Sequence, residues 1–175
     1  MIRPDLIEFM QRLQALFDAI PVPTKMADPI GDEQLPTLLV GFDSVGENKS
    51  FVQFEFVFLT NKNIALPENI AIMQTFAVLH RSVQEAALPG LHWLIHQINP
   101  FLTLGFFGIM EENRTLFLKA NNLFTGSLSA NHPLEMIDKQ TGVLFYQINL
   151  FYDMLCAVAE GKVDARDAWA KYQGQ

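Results

Sequence analysis

The chain has a single cysteine, Cys156, among its 175 residues. One thiol excludes an internal disulfide framework and every metal site built from several cysteines. Cys156 lies in the apolar run Tyr152–Asp153–Met154–Leu155–Cys156–Ala157–Val158, where a buried, inert thiol is expected. Basic residues are scarce as well. Lys and Arg number 12 against 19 Asp and Glu, the net charge is −7, and no basic cluster occurs. Binding to phosphates needs such clusters, so neither nucleic acid nor an anionic membrane surface is an expected partner. No apolar stretch reaches the ~18 uncharged residues of a membrane-spanning helix. The N-terminal MIRPDLIEFM alternates charged with apolar residues, unlike a signal peptide. The expected location is cytoplasmic.

The patterns that announce catalysis are missing too. No Gly-x-Ser-x-Gly elbow occurs, and no glycine-rich strand-to-helix turn that could cradle a phosphate. Gly105–Phe106–Phe107–Gly108 carries bulky residues inside a strand pattern. Carboxylates pair at Glu111–Glu112, Glu135–Asp138 and Asp164–Asp167. The first pair falls at a hairpin tip and the others in first helical turns, where acids complement the helix dipole. General acid–base work needs a carboxylate perturbed by burial, and these patterns read as exposed. The expectation is a protein that is not an enzyme and takes no cofactor.

What is abundant is apolar side chain. Half of the residues are hydrophobic and 18% are charged, a balance that suits a globular chain with a large core. A chain of this length buries roughly 70% of its unfolded surface, and one domain over residues 1–175 is expected. Of 15 phenylalanines, 11 lie from Phe42 to Phe124.

Leu6, Phe9, Met10, Leu13, Leu16, Phe17 and Ile20 recur at three- and four-residue spacing, an amphipathic helix that Pro21–Val22–Pro23 stops. A loop with Pro29, Gly31 and Asp32 follows. Residues 35–42 read as a strand, and 51–59 alternate so that Val52, Phe54, Phe56 and Phe58 share one face. The periodicity of residues 69–80 admits a helix, but Ile70, Ile72, Phe76 and Val78 also align at period two, which favours a third strand. Residues 84–99 suggest a helix with Asn99–Pro100 as its exit. Two strands, 102–110 and 114–122, flank the turn Glu111–Glu112–Asn113. A long helix spans 132–160, Gly161 ends it, and Asp164 caps a short last helix that ends near Tyr172. The sum is an α+β fold, an antiparallel sheet of about five strands flanked by helices in the order α-β-β-β-α-β-β-α.

Two features are candidate sites. His92 and His96 stand one helical turn apart, a spacing that can grip a metal, although Trp93 occupies the position where the zincin motif needs Glu. A small-molecule or metal-responsive regulator using this pair is the alternative reading. The other feature is surface. The strand over 102–110 is apolar on both faces, so its own chain or a partner must cover both. Phe51, Val57, Phe107 and Ile109 are the residues expected to meet a partner on the less covered face.

Ile98–Asn99–Pro100 leading into Gly105–Phe106–Phe107–Gly108–Ile109, then Glu111–Glu112–Asn113 and Leu116–Phe117–Leu118, resembles the YbjN-like and type III secretion chaperone-like proteins. The likeness covers roughly residues 4–160 and is one of element order, without a catalytic signature. It implies an acidic cytoplasmic α+β protein, usually a homodimer, that binds a client or partner polypeptide without catalysis. The two-proline exit of the first helix and the helix after Gly161 depart from that pattern.

Overall fold

The computed structural model describes residues 4–29, 35–59, 67 and 69–174. The expected loop residues Gly31 and Asp32 lie outside the described residues. The order is α1 Pro4–Asp18, β1 Thr24–Ala27, β2 Thr37–Val45, β3 Ser50–Phe58, β4 Ile70–His80, α2 Leu88–Ile98, β5 Phe106–Met110, β6 Thr115–Thr125, α3 Asn131–Ala159 and α4 Ala165–Gln173. Single 3-10 turns, Glu85–Ala87 and Asn99–Phe101, bracket α2.

The fold is α+β, with an antiparallel sheet of order β1-β2-β3-β4-β6-β5 flanked by helices. The sheet has six strands where about five were expected. The additional one, β1, is the four-residue Thr-Lys-Met-Ala, too short to display alternation and masked by the prolines before it. It pairs with β2 from Thr24↔Val40 to Ala27↔Thr37. Residues 70–80 form a strand, as period two favoured. The faces carry unequal bulk, however. Ala71, Met73, Thr75, Ala77 and Leu79 are buried, while the β-branched or aromatic Ile70, Ile72, Phe76 and Val78 are half-buried.

The chain divides into two compact units. The first comprises Met1–Phe42, Gln53–Phe76 and Ala120–Gly142, and the second Asp43–Val52, Ala77–Lys119 and Val143–Gln175.

In the first unit the stripe of α1 meets the phenylalanine face of β3. Phe9 packs 5.7 Å from both Phe58 and Phe124, and Phe17 packs 5.5 Å from Phe56. Phe42 and Phe54 lie edge-on at 5.0 Å. Edge-on and tilted pairs of this kind add about 0.5–1.5 kcal/mol each beyond the area they bury. Arg12, on the other side of α1, fastens the segment leading into α3. Its guanidinium donates to the carbonyls of Leu128, Ser129 and Ala130 and to Asn131 Oδ1, at 2.8–3.3 Å. An extended planar donor set is suited to gathering several acceptors at once.

In the second unit the hairpin β5–β6 pairs from Phe106↔Lys119 to Met110↔Thr115, and its turn is the expected Glu111–Glu112–Asn113 with Arg114. Strand β5 lies at the edge of the sheet. At Phe107 the edge is closed by a side chain: Asn99 Oδ1 accepts the Phe107 N–H at 2.9 Å, and Asn99 Nδ2 donates to the Phe107 carbonyl at 3.0 Å. An amide has one donor and one acceptor arm, so it replaces a neighbouring strand for one residue. Helix α3 ends as expected at Gly161, whose φ of +67° directs the Lys162 N–H back to the Ala157 carbonyl at 2.9 Å. Asp164 caps α4, its carboxylate accepting the N–H groups of Arg166 and Asp167.

Candidate functional site

The four strand residues expected to meet a partner have different fates. Phe51 is 58% exposed on β3, and Val57 and Ile109 are half-buried. Phe107 is only 1% exposed, which corrects the expectation of an open face there. Its cover is the chain's own Phe151, edge-on at 6.2 Å from α3. The sequence could present β5 as apolar on both faces, but which face α3 would take depended on tertiary packing.

His92 and His96 both lie on the exposed side of α2. His92 Nε2 is 4.0 Å from Glu111 Oε1, at the limit of an ion pair between two open side chains. Among the described residues no three His, Cys, Asp or Glu side chains come together in a group that could hold a metal ion. Cys156 donates to the Leu79 carbonyl at 3.8 Å, and burial pushes its thiol up to about 12, partly offset by a hydrogen bond with Tyr152. It is a neutral thiol at ordinary pH and a poor nucleophile.

The second unit does hold a cleft, which the residues of the sequence did not announce. Its walls come from three separate segments: Phe101 in the turn after α2; Tyr146, Leu150 and Phe151 on α3; and Trp169 and Tyr172 on α4. Its volume is about 430 Å³, within the range of sites that take a ligand or an anchoring side chain. Aromatic rings line it in sequence. Phe101 lies 5.9 Å from Trp169, Trp169 stacks on Tyr172 at 5.4 Å and 19°, and Tyr172 lies 5.3 Å from Phe151. Trp169 and Phe151 are buried and form the floor. Phe101 at 70%, Tyr146 at 65% and Leu150 at 43% exposure form the rim.

Polar contacts hold these walls in place. Gln147 is 5% exposed, and its amide is spent on the loop after the turn. Oε1 accepts the N–H groups of Thr103 at 2.7 Å and Leu104 at 3.1 Å, while Nε2 donates to the Leu104 carbonyl at 2.8 Å. One amide thus satisfies three backbone groups, each costly to leave buried without a partner. On the opposite wall, α4 docks against α2. The space beside Gly90 is so narrow that a Cβ there would stand 3.2 Å from the Ala165 Cβ, and the Arg166 guanidinium sits 4.9 Å over the ring of Trp93.

A second cleft of about 460 Å³ adjoins the first and shares Leu150 and Tyr172 with it. Its other wall is the turn between β2 and β3, held by α3. Asn149 Oδ1 accepts the Gly46 N–H at 2.8 Å, Asp153 Oδ2 accepts the Glu47 N–H at 2.6 Å, and Asn48 Nδ2 donates to Asp153 Oδ1 at 3.2 Å. Gly46 has φ of +68°, and a Cβ there would stand 2.5 Å from Asp153 Oδ2, so both conformation and space require glycine.

Helix α3 is long and apolar enough to cross a membrane by length and composition. Its apolar character has two uses within the second unit: Ile148, Phe151 and Leu155 are buried, while Tyr146 and Leu150 face the cleft.

A comparison with known protein-family models gives no match, and neither does one with curated proteins.

Proposed function

We propose that the protein is a non-enzymatic, cytoplasmic polypeptide-binding protein of the chaperone-like or regulatory kind, which holds an apolar segment of a partner in the aromatic cleft. The observation that carries this reading is the cleft's mixed construction. A rigid floor of Trp169 and Phe151 underlies a rim of Phe101, Tyr146 and Leu150 that stays open to solvent. Tyr and Trp are the side chains that dominate protein–protein contacts, because they offer large area at low conformational cost. Exposed aromatic rings around a preformed hollow are costly to solubility unless they meet a partner. The resemblance to YbjN-like and type III secretion chaperone-like proteins, which bind polypeptides without catalysis, points the same way.

The pairing of two copies expected from the sequence belongs to the same proposal, with Phe51 the most exposed of the four strand residues expected to meet a partner. Light scattering tests that part: the expected mass is twice 19.8 kDa, and the mass of a single chain contradicts it.

Binding is tested with a fluorescein-labelled eight-residue peptide carrying one Trp and one Leu among Gly and Ser. Saturable binding is expected, weakened roughly tenfold by Leu150→Asp in a variant that stays folded. No saturable binding, or equal binding by that variant, contradicts the proposal. So does binding to neutral lipid vesicles in place of the peptide.

A further inference from the structure

Four of the eight large apolar side chains most exposed among the described residues, namely Phe101, Tyr146, Leu150 and Val163, line the two adjoining clefts. The clefts share Leu150 and Tyr172, so a segment anchored in the first runs directly into the second. The second differs in chemistry. Glu47 and Asp153 stand in its wall against one cation, Lys171.

The two carboxylates are not equivalent. Asp153 is occupied, accepting the Glu47 N–H and the Asn48 side chain. Glu47 contributes only its backbone N–H to that network, and no described residue pairs with its carboxylate. Its backbone is pinned, together with Gly46, by Asn149 and Asp153. The carboxylate therefore projects from a turn held at fixed position beside the apolar anchor site. This local charge has the sign of the whole chain, whose −7 draws cationic partners toward it.

We propose that the segment bound by this protein carries a basic residue next to its apolar anchor, with the anchor in the aromatic cleft and the cation beside Glu47. The inference rests on the polypeptide-binding reading and adds the chemistry of the partner to it. The aromatic cleft supplies affinity by desolvation, and the acidic wall supplies direction and selectivity. A segment with acidic flanks meets Glu47 and Asp153 with like charge and is refused.

The probes are three labelled peptides with the same Trp–Leu anchor, flanked by Lys, by Ser or by Glu. The Lys-flanked peptide is expected to bind about fivefold tighter than the Ser-flanked one, and the Glu-flanked peptide weaker than both, with the differences shrinking as salt is added. Glu47 is an exposed turn residue outside the anchor cleft, so Glu47→Lys keeps the fold and is expected to reverse the order. Lys171→Gln is expected to widen the preference for Lys flanks. If all three peptides bind within twofold of one another, or Glu47→Lys leaves the order unchanged, the basic partner is ruled out while the polypeptide-binding reading survives. If none of the three binds, both readings fall together.

Discussion

In the first unit, Phe9, Phe58 and Phe124 contact one another edge-on or tilted, Phe54 and Phe56 form a second tilted pair, and all five are buried. In the second unit, Phe151, Trp169 and Tyr172 make a similar chain of ring contacts, but it ends at Phe101, which faces solvent. The first set comes from strand alternation meeting a helical stripe, so each ring has a place dictated by period. The second set joins a 3-10 turn and two helices, held by the buried amide of Gln147 and by the docking of α4 on α2. The contrast separates two uses of aromatic residues. A closed cluster spends its rings on stability, whereas an open one keeps a scaffolded surface for contact.

The contrast is sharpest in what substitutions do. Phe54→Ala in the closed cluster removes a fully buried ring, and a loss of about 3–5 kcal/mol in urea unfolding is expected. Gln147→Ala strips partners from two N–H groups and one carbonyl, and is expected to cost about 1–3 kcal/mol while loosening the Phe101 wall. Hydrogen exchange at Thr103 and Leu104 should rise at least tenfold in that variant, and unchanged protection there would contradict the assigned role.

The second unit responds to pH through Cys156, which is half-buried. Burial raises its folded pKa from 9.0 to about 12, so the folded chain keeps the proton that the unfolded chain releases. Stability from this source is complete below pH 9 and is lost between pH 9 and 12, at up to about 1.4 kcal/mol per pH unit. Comparing denaturation of the wild type and Cys156→Ala at pH 8 and pH 10 isolates this loss; equal slopes would mean the thiol is open to water. Tyr146→Ser is the smallest change. On an exposed rim position it is expected to alter stability by less than about 0.5 kcal/mol, while weakening the Trp–Leu peptide severalfold.

Much of the fold was legible because its signals are periodic. The alternation of β3, the stripe of α1, the turn at Glu111–Glu112–Asn113 and the caps at Gly161 and Asp164 each follow from local rules. Strand β1 was not legible, since four residues after a Pro-x-Pro step carry no period. Phe107 illustrates a different limit. A strand apolar on both faces says that both need cover, but only the position of Phe151 decides which face receives it. The cleft was hidden for the same reason: Phe101, the pair Tyr146 and Leu150, and the pair Trp169 and Tyr172 come from three separate segments that converge through packing. One local signal was present. Gln147 and Asn149 are amides set within the otherwise apolar run Phe145–Tyr146–Gln147–Ile148–Asn149–Leu150, and Asn99 is an amide at a helix exit; all three prove to bind backbone. Buried amides in apolar settings mark loops that must be held still.

The central claim is that the open aromatic cluster of the second unit receives a polypeptide segment. Backbone and side-chain NMR of the labelled protein, titrated with the unlabelled Trp–Leu peptide flanked by Lys, tests it most directly. Saturable shifts confined to Phe101, Tyr146, Leu150, Trp169, Tyr172 and the Glu47 turn are the expected result. Shifts centred on the strand residues Phe51 and Val57, or no saturable shifts at all, would contradict it.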